Sequence, residues 1–411
     1  MATQTNRKRA LLLTSKTGGG HHSLAEALRE QLGTVFDCTI NDPQLFVVHA
    51  YYRLVSRYAL WLYEAEYRFI DQPQRVRAAQ QVFAGLLEIP MRRAVEHARP
   101  DLVISLFPYY TLAMQNAIRT DGSRAAATIL LADPQDVHAG WLVIKDVDAI
   151  LAPTRETETQ VLGENFARNQ VHLVGWPVRK QFLVQGGLLP AQDSRDAGSL
   201  AQPGPKRDAA LRALGLQPGR FTVFLQGGGE GAAYIDKTVE AILKVGAQDP
   251  RFAVQIILAT GTNQRLRMQF EGTPGLIALP FTREIARYMA LADVVMGKAG
   301  PNTLFEATTL GKPFIATTFI PGQESPNLDF IRRHRLGWVA LKTPEMAALL
   351  YKLTHEPQRM AAQVAAVDAY RRWNLEQQTT LLPDLARLVE RPAQPVHAPA
   401  RRLPFARLGQ E

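Results

Sequence analysis

The stretch from Asp293 to Phe330 constrains the fold of this chain more than any other part of it. A short apolar run leads into Gly297-Lys298-Ala299-Gly300-Pro301, and the helix that follows is stopped by Gly311-Lys312-Pro313. A second apolar and β-branched run then breaks at Pro321-Gly322 into a polar loop before another helix. Two strand–turn–helix units in succession predict an open parallel sheet, in which ligands bind at the carboxyl ends of the strands.

The same pattern recurs at two other positions. The apolar run from Arg9 to Ser15 precedes Gly18-Gly19-Gly20 and an amphipathic helix, and the run from Phe221 to Leu225 precedes Gly227-Gly228-Gly229. Such turns leave N–H groups at the start of a helix unpaired, and these groups favour anions such as phosphate. Alternating strands and helices along the chain predict an α/β protein with two doubly wound halves.

Length and composition narrow the class of protein. At 411 residues the chain is too long for one core and suits two domains. No apolar stretch approaches the ~20 residues of a membrane span, and the apolar run near the N-terminus is too short for a signal peptide, so a cytoplasmic protein is predicted. A net charge of +9 suits an anionic lipid surface or a nucleic acid. Because no nucleic-acid-binding motif is present, nucleic acid is the weaker prediction.

Cysteine and histidine usage predicts that the protein holds neither a disulfide nor a metal. Cys38 is the only cysteine, and the nine histidines are scattered without a metal-binding spacing. Candidate domain boundaries come from changes in composition. We predict a first domain over residues 1–184, a flexible linker over 185–210, a second domain over 211–357, a helix over 358–390 that returns to the first domain, and a disordered tail over 391–411.

Residues 50–70 are unusually aromatic. This segment holds five of the eleven tyrosines together with Trp61 and Phe69, and arginines are interleaved with them. Aromatic rings and cations side by side are typical of a helix at a lipid headgroup surface. An amphipathic helix packed on its own domain is the alternative, and the sequence leaves both open.

Four motifs resemble known enzymes. The strings TGGGHHS (17–23), GGGEG (227–231), GKAGPNT (297–303) and PGQESPN (321–327) are similar to those of family 28 glycosyltransferases, in particular the monogalactosyldiacylglycerol synthases and the bacterial diacylglycerol glucosyltransferases. The resemblance implies a GT-B fold, with two Rossmann-like domains that face each other across a cleft. It also implies inverting transfer of galactose or glucose from a UDP-sugar to diacylglycerol or another lipid at the inner face of the cell membrane. The UDP-sugar is then a co-substrate, and no cofactor is expected.

Two other activities remain open. Relatives of the same fold transfer N-acetylglucosamine to a polyprenyl-linked precursor, and others are non-hydrolysing UDP-sugar epimerases. A basic protein without catalytic activity that binds a membrane or a nucleic acid is a third possibility.

The resemblance also implies a set of binding residues. The acceptor would approach the backbone at Gly19 and Gly20. The UDP-sugar would be bound by Gly228, Gly229, Glu230, Phe281, Lys298, Gly300, Asn302, Thr303, Glu306, Gln323, Glu324 and Asn327.

Several of these residues have an ordinary structural alternative. Glu306 would bind the ribose hydroxyls, but its spacing from Thr303 also fits a capping box. Phe281 would stack on the uracil or else belong to the core. Gln323 and Glu324 would bind hexose hydroxyls or simply be solvated, and Lys298 would neutralise a phosphate or be solvated.

His21 is the candidate base for the acceptor hydroxyl. At a helix N-terminus its charged form is disfavoured, so the imidazole is expected to be neutral at pH 7. A cap or a phosphate contact is its alternative role. Asp133 and His138, at the end of another strand, form the rival acid–base pair and resemble a family motif that ends in tryptophan.

Overall fold

The computed structural model describes residues 7–15, 19–190, 199–227, 235–249 and 251–390. Within these residues, twelve strands form two six-stranded sheets, and every strand pair is parallel. Parallel neighbours need long crossover connections, and helices supply them here. We call the two sheets with their helices the first lobe and the second lobe.

The first sheet has the strand order β2-β1-β3-β4-β5-β6. Its central strands β3, β4 and β5 are nearly continuous apolar runs, as expected for a parallel sheet covered on both faces, whereas the edge strand β2 is only partly buried. Their bounds are Lys8–Leu13 (β1), Phe36–Asn41 (β2), Leu102–Ser105 (β3), Ala126–Leu130 (β4), Ala149–Ala152 (β5) and Val171–Leu173 (β6).

The second sheet has the order β12-β11-β10-β7-β8-β9, which read from β9 is the doubly wound order 3-2-1-4-5-6. Its strands are Phe221–Gln226 (β7), Val254–Gly261 (β8), Leu276–Pro280 (β9), Val294–Lys298 (β10), Phe314–Thr318 (β11) and Gly337–Val339 (β12).

Eight α-helices of the described residues come before the second sheet's own helices. They are Gly20–Leu32 (α1), Phe46–Tyr58 (α2), Leu60–Ile70 (α3), Pro73–Leu86 (α4), Glu88–Ala98 (α5), Thr111–Thr120 (α6), Arg155–Gly163 (α7) and Lys180–Gln185 (α8). The aromatic segment over 50–70 therefore belongs to two helices, α2 and α3, which meet at Ala59.

Eight further α-helices lie in the rest of the described chain. They are Pro205–Ala213 (α9), Ile235–Gln248 (α10), Gln264–Phe270 (α11), Ile285–Ala290 (α12), Pro301–Thr309 (α13), Ser325–Arg333 (α14), Thr343–His355 (α15) and Pro357–Glu390 (α16). The long helix α16 returns to the first lobe, as predicted for 358–390. Asn374 accepts a hydrogen bond from the backbone N–H of Trp176 at 2.6 Å, and His172 contacts Asp384 at 3.0 Å.

The flexible linker predicted over 185–210 departs from the structure in its second part. Helix α9 begins at Pro205, and Arg207 is buried, donating to the Leu291 carbonyl and to the Asp293 carboxylate, both at 2.8 Å. Lys312 donates to the Ala201 carbonyl at 2.7 Å. Composition does not indicate this packing, because the partners of the polar residues lie 84 or more positions away. Residues 191–198 and the tail over 391–411 lie outside the described residues.

Candidate active site

Both sheets direct their switch points toward the same cleft. In the first sheet the strand order reverses between β1 and β3, and in the second sheet it reverses between β7 and β10. Ligands of open parallel sheets bind at such points. A hydrogen bond of 2.7 Å from Gln226, at the end of β7, to Thr303, on the first turn of α13, spans the second switch point.

The first turns of α1 and α13 meet across the cleft. Asn302 donates to the Gly20 carbonyl at 2.8 Å and accepts from the indole N–H of Trp176 at 3.2 Å. Gly20 permits this approach, because a Cβ there would lie 3.3 Å from the Asn302 amide nitrogen. Neither helix has a side-chain cap. Two uncapped helix N-termini facing one cleft favour an anionic ligand.

Glu306 is buried at this junction and is held from the other lobe. Its Oε1 accepts from Arg179 Nη2 at 2.6 Å and Nε at 3.2 Å, and from Ser23 Oγ at 3.4 Å. Burial raises the pKa of the carboxyl, and the Arg179 guanidinium opposes that rise. Helix α13 begins at Pro301, with Gly300 as its N-cap and no side-chain cap, so the capping-box alternative for Glu306 is wrong. The carboxylate instead faces the first lobe.

His21 lies on the first turn of α1, beside Phe107, with ring centroids 5.5 Å apart in an edge-on contact. Burial lowers the pKa of the imidazole to about 4, although the Leu106 carbonyl accepts a hydrogen bond from the ring and opposes this shift. The buried Nδ1 has no hydrogen-bond partner in the described part of the chain. His21 is therefore neutral at pH 7, with its proton on Nε2 and a lone pair on Nδ1.

Asp133 lies at the centre of a polar cluster that joins the lobes. Its carboxylate accepts from the Trp141 indole at 3.3 Å and from Gln323, which in turn accepts from the Tyr63 hydroxyl at 2.7 Å. Burial raises the pKa of Asp133 to about 6, and the nearby Glu324 carboxylate adds to the rise. Asp133 and Gln323 were both predicted site residues, and the structure brings them together.

Both ring nitrogens of His138 lie against backbone groups. Its Nδ1 accepts from the Gly140 backbone N–H at 2.9 Å, and its Nε2 lies 3.3 Å from the Tyr67 carbonyl. Burial lowers the pKa of the ring. Since both nitrogens are engaged with backbone groups, the geometry favours a role for His138 in holding the Ala139–Trp141 turn rather than in proton transfer.

Three predicted donor-site residues hold the loop after β11. Lys298 pairs with Oε1 of Glu324, and Oε2 of Glu324 accepts from the Ile320 backbone N–H at 2.8 Å. Asn327 donates to the Ala299 carbonyl at 2.8 Å, while its buried Oδ1 has no partner among the described residues. Because both oxygens of Glu324 accept from the protein, its side chain shapes the loop.

Of the remaining predicted binding residues, some are exposed and others lie outside the described residues. Phe281 follows β9 and its side chain is 68% exposed, which excludes the core alternative. Gly19, the N-cap of α1, is exposed. Gly228, Gly229 and Glu230 lie outside the described residues. Within the described ranges, no group of three or more His, Cys, Asp or Glu side chains is arranged to hold a metal ion, and a metal-free site stays a prediction.

Comparison with known protein families matches both lobes. Residues 21–178 match the model for monogalactosyldiacylglycerol (MGDG) synthase, and residues 222–368 match the model for the glycosyltransferase family 28 C-terminal domain. Together the two models cover most of the chain, which is thus similar to the glycosyltransferases of family 28. The resemblance that the four motifs indicate is thereby confirmed.

Individual relatives have low sequence identity but align over most of the chain. The chain is 25% identical to a probable MGDG synthase of Glycine max over 84% of its length, which is 64% of that relative. It is 25% identical to an MGDG synthase of Spinacia oleracea over 93% of its length, which is 73% of that relative. The chain thus spans about two thirds of the length of these curated relatives.

Solved structures share the fold at low identity. A calicheamicin glycosyltransferase superposes with a TM-score of 0.60 at 13% identity, covering 95% of this chain and 100% of that one. The Anabaena protein HepE, in complex with UDP and glucose, gives 0.55 at 13% identity, and the UDP-GlcNAc 2-epimerase of Neisseria meningitidis gives 0.56 at 11%; both cover 92% of this chain and 100% of theirs. These likenesses confirm the predicted GT-B arrangement.

Sequence reasoning missed several residues of the site. Nothing in the sequence around Arg179 indicates that it pairs with Glu306, which lies 127 positions away. Tyr63 is one of the five tyrosines of the aromatic segment, and Gln226 stands directly before Gly227, but neither position indicates a partner. Their side-chain partners lie in other elements, so spacing along the chain carries no signal for them.

Proposed function

We propose that this chain transfers a hexose, galactose or glucose, from a UDP-sugar to diacylglycerol with inversion, at the inner face of a membrane. One observation carries the proposal. His21 and Glu306, from opposite lobes, border one cleft, because the first turns of α1 and α13 are joined by Asn302 and Gly20, and Ser23 reaches Glu306.

The donor half rests on α13 and the loop after β11. The diphosphate lies at the uncapped N-terminus of α13, where backbone N–H groups stabilise the charge that the leaving UDP gains. Glu306, which is paired with Arg179, accepts from the ribose hydroxyls. Gln323 binds a hexose hydroxyl, and the exposed ring of Phe281 stacks on the uracil. Amide and helix donors suffice for this charge, so the proposed reaction needs neither metal nor cofactor.

The reaction itself requires a base. Nδ1 of His21 takes the proton of the acceptor hydroxyl while the hydroxyl oxygen forms a bond to the anomeric carbon of the hexose. The bond from that carbon to the phosphate oxygen breaks on the opposite face, and its electron pair leaves with UDP. One displacement of this kind inverts the configuration. Nδ1 is buried and has no protein donor among the described residues, so its lone pair is open to a proton once the acceptor hydroxyl reaches it.

The acceptor half rests on an exposed apolar surface. In the described part of the chain, eleven of the sixteen exposed large hydrophobic side chains lie between Leu45 and Ile89, on α2 to α5. Trp61 is 73% and Phe69 is 60% exposed, and the Arg75 guanidinium lies 3.8 Å from the centre of the Phe69 ring. So much clustered apolar surface with cations supports the membrane alternative for the aromatic segment. Among the described residues, no helix has the length and apolar character to cross a membrane.

One assay tests the proposal against its alternatives. The purified chain is incubated with labelled UDP-galactose, UDP-glucose or UDP-N-acetylglucosamine and with vesicles that contain diacylglycerol, and the label in the organic phase is measured. Transfer of galactose or glucose that requires diacylglycerol supports the proposal. Transfer only of N-acetylglucosamine to a polyprenyl phosphate acceptor, or conversion of the UDP-sugar without lipid, contradicts it in favour of a transferase of that kind or an epimerase.

A further inference from the structure

The loop proposed to bind the hexose is held by a helix of the opposite lobe. Tyr63, on α3, donates from its hydroxyl to Oε1 of Gln323 at 2.7 Å. One turn further along α3, the ring of Tyr67 packs on Gly322, where an added Cβ would lie 3.1 Å from the Tyr67 ring. Gln135, in the first lobe, donates to the Pro326 carbonyl at 2.8 Å. First-lobe residues thus contact the segment from Gly322 to Pro326 at three points.

The Tyr63 hydroxyl has a directional effect on Gln323. A carboxamide presents an acceptor at one end and a donor at the other, and either end can face a ligand. Because the Tyr63 hydroxyl occupies Oε1, the amino group of Gln323 is turned toward Asp133, which accepts from it. Without Tyr63, rotation of the carboxamide would place either end against Asp133 or solvent.

This arrangement suits a sugar hydroxyl. A sugar hydroxyl that inserted between the amino group of Gln323 and the Asp133 carboxylate would replace their direct hydrogen bond. It would accept from the first and donate to the second, so both of its functions would be used. The Trp141 indole, which donates to Asp133 at 3.3 Å, keeps that carboxylate in place. A site that uses both functions of a hydroxyl discriminates against sugars whose hydroxyl points elsewhere.

We propose that Tyr63 is a positioning residue of the hexose subsite, which holds Gln323 so that one hexose hydroxyl is bound between Gln323 and Asp133. The inference rests on the proposed function and deepens it. It adds two first-lobe residues to the recognition of the donor sugar, and it makes the first lobe part of the choice between galactose and glucose.

The test compares the affinity for UDP with the affinity for the UDP-hexose. Dissociation constants of the full chain for UDP, UDP-galactose and UDP-glucose are measured by calorimetry for the unaltered protein and for Tyr63→Phe. Tyr351→Phe is the matched control, because its hydroxyl donates to Asp249 at 3.2 Å in a part of the second lobe formed by α15. We expect Tyr63→Phe to weaken binding of the preferred UDP-hexose about five- to tenfold, with UDP affinity unchanged within about twofold, as for the loss of one positioned hydrogen bond.

A double-mutant cycle with Gln323→Ala makes the test specific. In the Gln323→Ala background, Tyr63→Phe should have no further effect on UDP-hexose affinity, because the group that Tyr63 orients is gone. An unchanged UDP-hexose to UDP ratio in Tyr63→Phe, a parallel loss of both affinities, or additive effects in the cycle would overturn the inference alone. If the unaltered chain bound neither UDP nor a UDP-hexose, the proposed function would fail and the inference with it.

Discussion

At the scale of single residues, burial shifts the pKa values of two side chains that border the cleft. His21 and Asp133 are both removed from water, and removal from water disfavours the charged form of each. For a histidine this lowers the pKa, here to about 4, and for a carboxyl it raises the pKa, here to about 6. The same physical cause therefore produces a neutral imidazole and a carboxyl with a raised pKa, both in the first lobe.

Replacement of His21 tests its role as the base. We expect His21→Ala to lower turnover of the UDP-hexose at least ~100-fold, while calorimetry shows UDP binding retained, because only proton transfer is lost. His22→Ala is the matched control, since His22 is the next residue on α1, is exposed, and lies 3.8 Å from Glu26. Turnover of His21→Ala equal to that of the control would exclude His21 as the base.

The pKa of Asp133 predicts a dependence of stability on pH. Because the folded pKa of about 6 lies above the ordinary value of 3.8, the folded protein binds more protons than the unfolded chain between these values. The contribution of Asp133 to the free energy of unfolding is therefore present below pH 4 and is lost as the pH rises through 6. The loss from this group between pH 4 and pH 7 is about 2 kcal/mol.

Urea unfolding measures this contribution. The change in the free energy of unfolding between pH 4 and pH 7 is compared in the unaltered chain and in Asp133→Asn, so that contributions from all other groups are shared. We expect the two changes to differ by about 2 kcal/mol, with the unaltered chain losing more on going to pH 7. Identical pH dependence would show that Asp133 titrates near its ordinary value.

At the scale of elements, α3 has two faces with different roles. Tyr63 and Tyr67 face the cleft and the donor loop, whereas Trp61 and Phe69 are exposed on the outside of the first lobe. Removing the two exposed rings should therefore affect a lipid surface and leave the cleft intact.

Vesicle binding tests the outer face of α3. We expect the double variant Trp61→Ser and Phe69→Ser to bind anionic vesicles at least about tenfold more weakly in a sedimentation assay, because two large rings no longer insert at the interface. Met268→Ser is the control, since Met268 is 67% exposed on α11 in the other lobe. If both variants bound like the unaltered chain, the outer face of α3 would not be the contact.

At the scale of the whole molecule, the two lobes share a core. One continuous buried cluster includes Leu12 of the first sheet, Phe305 of α13 and Leu385 of α16. Helix α16 reinforces this junction. Gly175 has φ +68°, and a Cβ there would lie 2.5 Å from the Asn374 carbonyl oxygen. The close approach of residue 175 to α16 therefore requires glycine.

A shared core predicts that the lobes unfold together. In Asn374→Ala the buried Trp176 N–H loses its acceptor, which costs about 1–3 kcal/mol. Hydrogen exchange should show this loss equally in β3 of the first lobe and β10 of the second. Asn116→Ala, at an exposed position on α6, should change neither strand by more than about 0.5 kcal/mol. A loss confined to one strand would show that the lobes unfold independently.

Much of the fold could be predicted from the sequence, and less of the site. The turn at Gly300 before α13 is confirmed by the structure, whereas part of the turn before α1 lies outside the described residues. The pKa of His21 is lowered in the predicted direction, but by burial rather than by the helix N-terminus. Two predictions are wrong. Glu306 pairs with Arg179 and is not part of a capping box, and Arg207, in the predicted linker, pairs with residues at and beyond the end of α12. In both cases a polar residue has its partner in a distant part of the chain.

Local patterns in the sequence predict the alternation of strands and helices, the glycine turns and the resemblance to the family, because these depend on backbone conformation and on motifs a few residues long. The pairing of polar groups across the cleft depends on how distant elements pack. The contacts of Glu306 with Arg179 and of Gln323 with Tyr63 join residues 127 and 260 positions apart. Such contacts arise when elements far apart in the sequence pack together in the fold, and no local pattern encodes them.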